Sequence, residues 1–200
     1  MQKKYTARYI QVLEAATRAF SQKGYHVATT KDIADQLGIQ QGSLYYYIES
    51  KEAALEAICL LAIEGYVAFS ETITHSRAAP EQKIRELVEH HLETIRHRSA
   101  LFKVFMNHRQ QLREEARHEI GRQIRQYEQN VESIIRQGMC KKAFRPDVDP
   151  ALASMALLGM CNFASVWWGK RATSDLSAVC DQFADILVAG LTGALPSSSG

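Results

Sequence analysis

Residues 40–48, QQGSLYYYI, crowd two glutamines, a serine and three consecutive tyrosines around a bare glycine. These are side chains that recognise other molecules more readily than they build a core. On a helix successive residues step by about 100°, so Tyr45, Tyr46 and Tyr47 fan over most of a turn and cannot all face inward. Leu44 and Ile48 share a face that can pack against the protein, which sets Tyr46 opposite them, beside Gln41, Gly42 and Ser43, with Tyr45 and Tyr47 on the flanks. A glycine lets a foreign surface approach the backbone. Uncharged hydrogen-bonding groups reach base edges and phosphate oxygens. The pattern reads as a nucleic-acid contact face, with an ordinary half-buried aromatic helix as the alternative.

The neighbouring elements decide between the two. Residues 5–22 place Ile10, Leu13, Ala16 and Phe20 at helical spacing and stop at Gly24. Thr29 and Asp32 make a capping-box-like pair, Ile33, Ala34 and Leu37 form a small apolar stripe, and Gly38 ends a helix of barely two turns. Residues 40–48 form the next helix, and Ser50 opens a longer one expected to run to about Thr74. Two short helices joined by a glycine-containing turn form a helix-turn-helix, whose second helix enters the major groove. Charge agrees: residues 1–51 carry seven basic against four acidic side chains, and the remainder is nearly balanced.

With 46% hydrophobic residues, four prolines and eleven glycines, the chain is expected to bury a substantial core. Beyond residue 75 the pattern is of longer helices, broken at Ala79 and Pro80, near Arg98, near Leu112, at residues 138–150 and at residues 169–174. The expected fold is all-α with about nine helices. A three-helix head spans residues 1–50, a ligand-binding and dimerisation body residues 51–195, and a frayed tail residues 196–200. Residues 151–168 are apolar nearly all round, and residues 175–191 carry Leu176, Val179, Phe183, Ile186, Leu187 and Leu191 along one side. Burial against a second subunit explains both, with intrachain core as the alternative.

Cys59, Cys140, Cys161 and Cys180 lie far apart in apolar surroundings and are expected as buried free thiols. No leader pattern opens the chain and no apolar run is expected to span a membrane, so a cytoplasmic protein without a membrane partner is expected. Neither catalytic motifs nor metal spacings are found. His90 and His91, with His97 and His108, are weighed as a metal site, but His90 and His97 are two helical turns apart, too distant to chelate, and no Gly-x-Ser-x-Gly elbow, phosphate loop, His-Glu-x-x-His or dinucleotide fingerprint occurs. Neither a metal nor a cofactor is expected. An enzyme acting on a hydrophobic small molecule remains as a different-class alternative with only an apolar pocket behind it.

The stretches VLEAATRAFSQKGY and TTKDIADQLGIQQGSLYYYIESKEAAL resemble the TetR family of one-component transcriptional repressors. Thr30, Asp32, Ile33, Ala34, Gly38, Gly42, Leu44, Tyr45, Lys51 and Leu55 carry that resemblance in order and spacing. It implies an all-helical homodimer whose head binds a palindromic double-stranded DNA operator and whose body binds a small inducer. It assigns Thr30 and the amides of its helix N-terminus to phosphate, Gln40, Gln41 and Ser43 to base or phosphate, and Tyr45 and Lys51 to the DNA backbone, with Lys31 as a further phosphate contact. Tyr46 and Tyr47 stand where the family often has arginine or tyrosine and histidine or tyrosine, and Ile48 replaces the usual phenylalanine. Lacking an arginine in this helix, the chain is expected to read bases through glutamine, serine and tyrosine together with groove shape.

The C-terminal stretches AFRPDVDPALASMALLGMCNFASVWW and DLSAVCDQFADILVAGL are similar to the branch of the family that senses fatty acyl-CoA, in which an asparagine and a tryptophan recur, here Asn162 and Trp167. The extended loop common after the tryptophan is reduced to GKRATS. An acyl chain needs an apolar tunnel, and Tyr66, Phe69, Phe102, Phe105, Met106, Met155, Leu158, Met160, Phe163 and Trp167 are candidates to line it. Plain core packing is the alternative for each. Arg109, with Arg113, Lys103 and Lys170, is a candidate for CoA phosphates, the alternative being a solvated helix face. A sensor of aromatic or cationic drugs controlling efflux is the runner-up. A cation wants a buried carboxylate, and residues 151–169 contain none.

Overall fold

Thr6 opens the first helix by accepting a hydrogen bond from the Tyr9 amide at 3.2 Å, as a short hydroxyl side chain does at a helix start. The computed structural model describes residues 6–167 and 175–193. Along them run α1 (Ala7–Lys23), α2 (Thr30–Leu37), α3 (Gln41–Leu44), α4 (Lys51–Ile63), α5 (Tyr66–His75), α6 (Pro80–His97), α7 (Ser99–His108), α8 (Glu114–Cys140), α9 (Pro150–Trp167) and α10 (Leu176–Thr192), with a 3-10 turn at Arg109–Gln111. The tail at residues 196–200, Trp168, Lys170 and the GKRATS segment lie outside the described residues.

Among the described residues the fold is all-α, as expected, and the helix expected from Ser50 to Thr74 is interrupted. Glu64 is extended and Gly65 takes φ 93°, a conformation open to glycine and costly for other residues. The chain therefore restarts as α5. By length and composition alone, Lys51–His75 and Pro150–Trp167 are apolar enough to cross a membrane, contrary to expectation. The first is half buried within the protein and broken at Gly65, and core helices meet the same measure.

The described residues gather into two units. The first holds α1 to α4, α7 and the start of α8, that is, residues 6–64 with Arg98–Gly121. In it α1 packs on α2, α4 and α7, and α4 packs on α7. The buried set follows helical spacing: Leu13, Ala16 and Phe20 from α1, Ile33 and Ala34 from α2, Leu55 and Ile58 from α4, Phe102 and Phe105 from α7. Each large member contributes about 1.5–3 kcal/mol of burial. The compact unit around the N-terminal helices thus extends past residue 50. Arg98 closes the end of α4, donating to the Leu61 carbonyl and lying 3.5 Å from the Glu64 carboxylate, where a cation meets the negative end of the helix dipole.

The second unit holds α5, α6, α8 from Arg122 onward, α9 and α10. Here α6 packs on α5, α9 and α10, burying Ile84, Leu87, Val88, Leu92 and Ile95. Lys83 is buried with them, its ammonium donating to the Thr74 carbonyl at 2.8 Å and to Gln137 Oε1 at 3.0 Å. After α8 the chain doubles back so closely that Phe144 lies on Gly138, where a Cβ would stand 2.1 Å from the ring. Cys59, Cys161 and Cys180 are buried free thiols, but Cys140 is exposed, because it ends α8 beyond the packed turns.

Candidate nucleic-acid interface and ligand site

The turn between α2 and α3 is fixed at both ends. At the start of α2, Thr29 accepts from the Asp32 amide while the Asp32 carboxylate accepts from the Thr29 amide at 2.9 Å, the reciprocal capping box. Lys23 also donates to Asp32 at 2.6 Å, and this bond, ahead of those from Thr29, holds the carboxyl down at about 2. At the other end Gly38 takes the left-handed conformation, φ 64° and ψ 33°, which places the Ile39 amide 3.1 Å from the Ala34 carbonyl. Gln40 then leads into α3.

Helical bonding in α3 stops at Leu44, sooner than expected. The amides of Tyr47 and Ile48 both reach back to the Leu44 carbonyl, at 2.9 and 3.2 Å, as a tight turn. The facing is as the spacing predicts: Leu44 and Ile48 are buried, whereas Tyr46 is 89% exposed, Tyr45 49% and Tyr47 37%. Gln40, Gln41, Gly42 and Ser43 are exposed beside them, as is Lys31. Gln41 Nε2 donates to Thr30 Oγ1 at 2.8 Å, and the Tyr45 hydroxyl lies 3.4 Å from both groups. Thr30, Gln41 and Tyr45 therefore stand as one preorganised polar cluster. Lys51 sits behind it, half-buried. Its ammonium donates to the carbonyls of Tyr25 and His26 at 3.1 and 3.2 Å and lies 4.9 Å over the Tyr25 ring. Burial first, and then the Glu52 carboxylate 3.3 Å away, push the Tyr25 hydroxyl up to about 12.

The expected ligand residues fall in both units. In the first, Phe102 and Phe105 are buried with ring centroids 5.6 Å apart. Arg109 lies 5.1 Å over the Phe105 ring with Nη1 3.6 Å from Met106 Sδ.

In the second unit Tyr66 is buried against His91 and Tyr127, ring centroids at 4.8 and 5.1 Å. His91 Nδ1 is 3.1 Å from the Tyr127 hydroxyl, and Nε2 is 3.0 Å from Asn162 Oδ1. Phe69 stacks on His90 at 3.8 Å, Leu158 is buried, and Trp167 packs edge-on to Phe183 at 6.4 Å. Met155 and Phe163 do not join this group. They are 66% and 63% exposed, in one outward stripe of α9 with Leu152 and Val166, and Ile186 of α10 is 62% exposed. Their place in an interior lining is corrected: the inward face of α9 is carried by Leu157, Leu158, Cys161 and Ala164.

Burial holds the His91 ring down at about 4, with the Asn162 bond opposing it and His90 adding to it, so the imidazole is neutral at ordinary pH. Burial also raises the Tyr127 hydroxyl well above 10. Sequence reasoning missed His91 and Tyr127 as a pair. The signal was present, since each sits on an apolar stripe, His91 between Leu87, Val88 and Ile95, and Tyr127 between Ile120, Val131 and Ile134. A polar ring at such a position must find a partner.

Two family models match the chain. Residues 12–58 match the model for bacterial regulatory proteins of the tetR family, and residues 77–191 match the model for the tetracyclin repressor-like C-terminal domain. The HTH-type transcriptional repressor KstR2 of Mycobacterium tuberculosis is 26% identical over 183 residues, covering 91% of this chain and 92% of the relative. Its solved structure, a ketosteroid transcriptional regulator, superposes with a TM-score of 0.86 at 25% identity over 94% of this chain and 97% of that one. PfmR of Thermus thermophilus gives 0.82 at 30% identity over 90% and 98%. FadR of Bacillus subtilis, solved with stearoyl-CoA, shares the fold with a TM-score of 0.71 at 22% identity over 92% and 99%.

Proposed function

The chain belongs to the TetR family of bacterial regulatory proteins, and from that premise we propose that it is a cytoplasmic repressor that binds a palindromic operator as a homodimer and leaves it when a fatty acyl-CoA or related CoA thioester binds. The observation that carries the DNA half is the exposed polar face of α3, projecting from a capped helix-turn-helix. Tyr46, Gln40, Gln41 and Ser43 read base edges, with Gly42 allowing close approach and Tyr47 at the flank. Thr30, Lys31, Tyr45 and Lys51 meet phosphates. The outward apolar stripe of α9 with Ile186 of α10 supports a two-fold interface, since exposed apolar patches of this kind mark association surfaces.

The ligand half rests on relatives with lipid-related names, KstR2 and the Bacillus subtilis fatty acid metabolism regulator, and on the stearoyl-CoA bound by FadR. Tyr66, Leu158, Asn162 and Trp167 are the contacts we assign to it in the second unit. Inducer binding shifts the dimer away from the state whose two α3 faces match successive major grooves, about 34 Å apart. By linkage the operator weakens inducer binding by the same factor. The test is fluorescence anisotropy of the purified protein on DNA from upstream of its own gene. Palmitoyl-CoA is expected to release the DNA while free CoA and an aromatic cation do not; specific binding undisturbed by the thioester would remove the ligand from the proposal.

A further inference from the structure

We propose that His91 and Tyr127 are positioning residues that fix the Asn162 amide with its nitrogen end turned to the ligand, so that the second unit selects a molecule carrying a hydrogen-bond acceptor, the carbonyl of a thioester. This rests on the acyl-CoA reading and adds to it which atom of the thioester is recognised, and why.

One placement of the protons satisfies the contacts as they stand. Asn162 Oδ1 lies 3.0 Å from His91 Nε2 and can only accept, so Nε2 carries the ring proton. In the neutral ring Nδ1 is then an acceptor, and the Tyr127 hydroxyl 3.1 Å away donates to it. The chain runs one way: Tyr127 to His91 to Asn162. Both rings are buried and closed in by Tyr66, whose own hydroxyl donates to the His91 carbonyl at 3.4 Å. The Tyr127 hydroxyl can donate or accept, so it is the oxygen end of the amide at Nε2 that sets this tautomer, and the Tyr127 proton supports it from the other side of the ring. Among the described residues Asn162 Nδ2 has no hydrogen-bond partner, and Asn162 is only half-buried. Two N–H donors held in this way need no reorganisation when an acceptor arrives. They disfavour a ligand that lacks one, because the amide then loses its water without a replacement bond.

The measurement is the affinity of the full chain for palmitoyl-CoA and for the S-hexadecyl thioether of CoA, which has a methylene in place of the carbonyl. The wild type is expected to bind the thioester about tenfold more tightly, the worth of one hydrogen bond. Tyr127→Phe and Asn162→Leu should erase that preference, bringing the affinities for thioester and thioether to within about twofold of each other. Equal affinity for the two ligands in the wild type overturns the proposal. So does a Tyr127→Phe variant that weakens both ligands alike, which is the mark of a merely structural hydroxyl. Nitrogen-15 spectra of labelled histidine test the positioning without any ligand: the wild-type ring should be the neutral Nε2–H tautomer and Tyr127→Phe should shift it toward Nδ1–H. A wild-type Nδ1–H ring overturns the positioning. Failure of both CoA ligands to bind removes the acyl-CoA reading and the carbonyl with it, and the spectra then decide the positioning alone.

Discussion

Acid should unfold this protein through His91 before it does so through the carboxylates of the head. The ring has an ordinary value of 6.5 and is held down at about 4 in the folded chain, first by burial. Above 6.5 neither state binds the proton, and His91 leaves stability independent of pH. Between 6.5 and about 4 the unfolded ring is protonated and the buried ring is not, so stability falls as pH falls, by up to about 1.4 kcal/mol per unit. Below about 4 both states carry the proton, and about 3 kcal/mol has been lost, a large part of the stability of an ordinary domain. Asp32 does not blur this window, because its carboxyl titrates lower, between 3.8 and about 2. The assay is urea unfolding followed by circular dichroism from pH 7.5 to 4, at one protein concentration, for the wild type and for His91→Gln. The variant should be less stable at pH 7.5 by about 1–3 kcal/mol, having lost bonds to Tyr127 and Asn162, and its stability should decline less steeply below 6.5 by up to one proton. Parallel curves for the two proteins would refute the reasoning.

Three further substitutions test the packing and the surfaces. Gly138→Ala forces a methyl to within 2.1 Å of the Phe144 ring and should cost about 1–3 kcal/mol in thermal unfolding, whereas Gly42→Ala, open to solvent, should leave the melt unchanged while weakening DNA binding measured by anisotropy. Phe163→Asp, on the outward stripe of α9, should convert the proposed dimer to monomer in sedimentation velocity without unfolding the protein.

The helix-turn-helix was legible because its signals are local and agree with one another: Thr29 with Asp32 at one end, Gly38 at the other, and Leu44 with Ile48 fixing which way Tyr46 points. The break at Gly65 was not legible, since an isolated glycine within an apolar helical run is weak evidence and Glu64 gives no warning. Residues 151–168 misled for a different reason. A helix apolar on every side has no periodicity to say which face turns inward, so Met155 and Phe163 were assigned to an interior that they leave to Leu157 and Cys161. His91 was weighed for metal binding with the other histidines, although its place on the α6 stripe pointed to a buried polar partner; Tyr127 and Asn162 lie too far along the chain for spacing to reveal that partner.

The most direct test of the central claim, that the outward face of α3 reads DNA, is the affinity of the wild type, Gln41→Ala and Tyr46→Ala for operator DNA and for random DNA of equal length at one salt concentration. Each substitution should cost about 1–3 kcal/mol on the operator and clearly less on random sequence. An equal loss on both DNAs, or no loss on either, would contradict the claim.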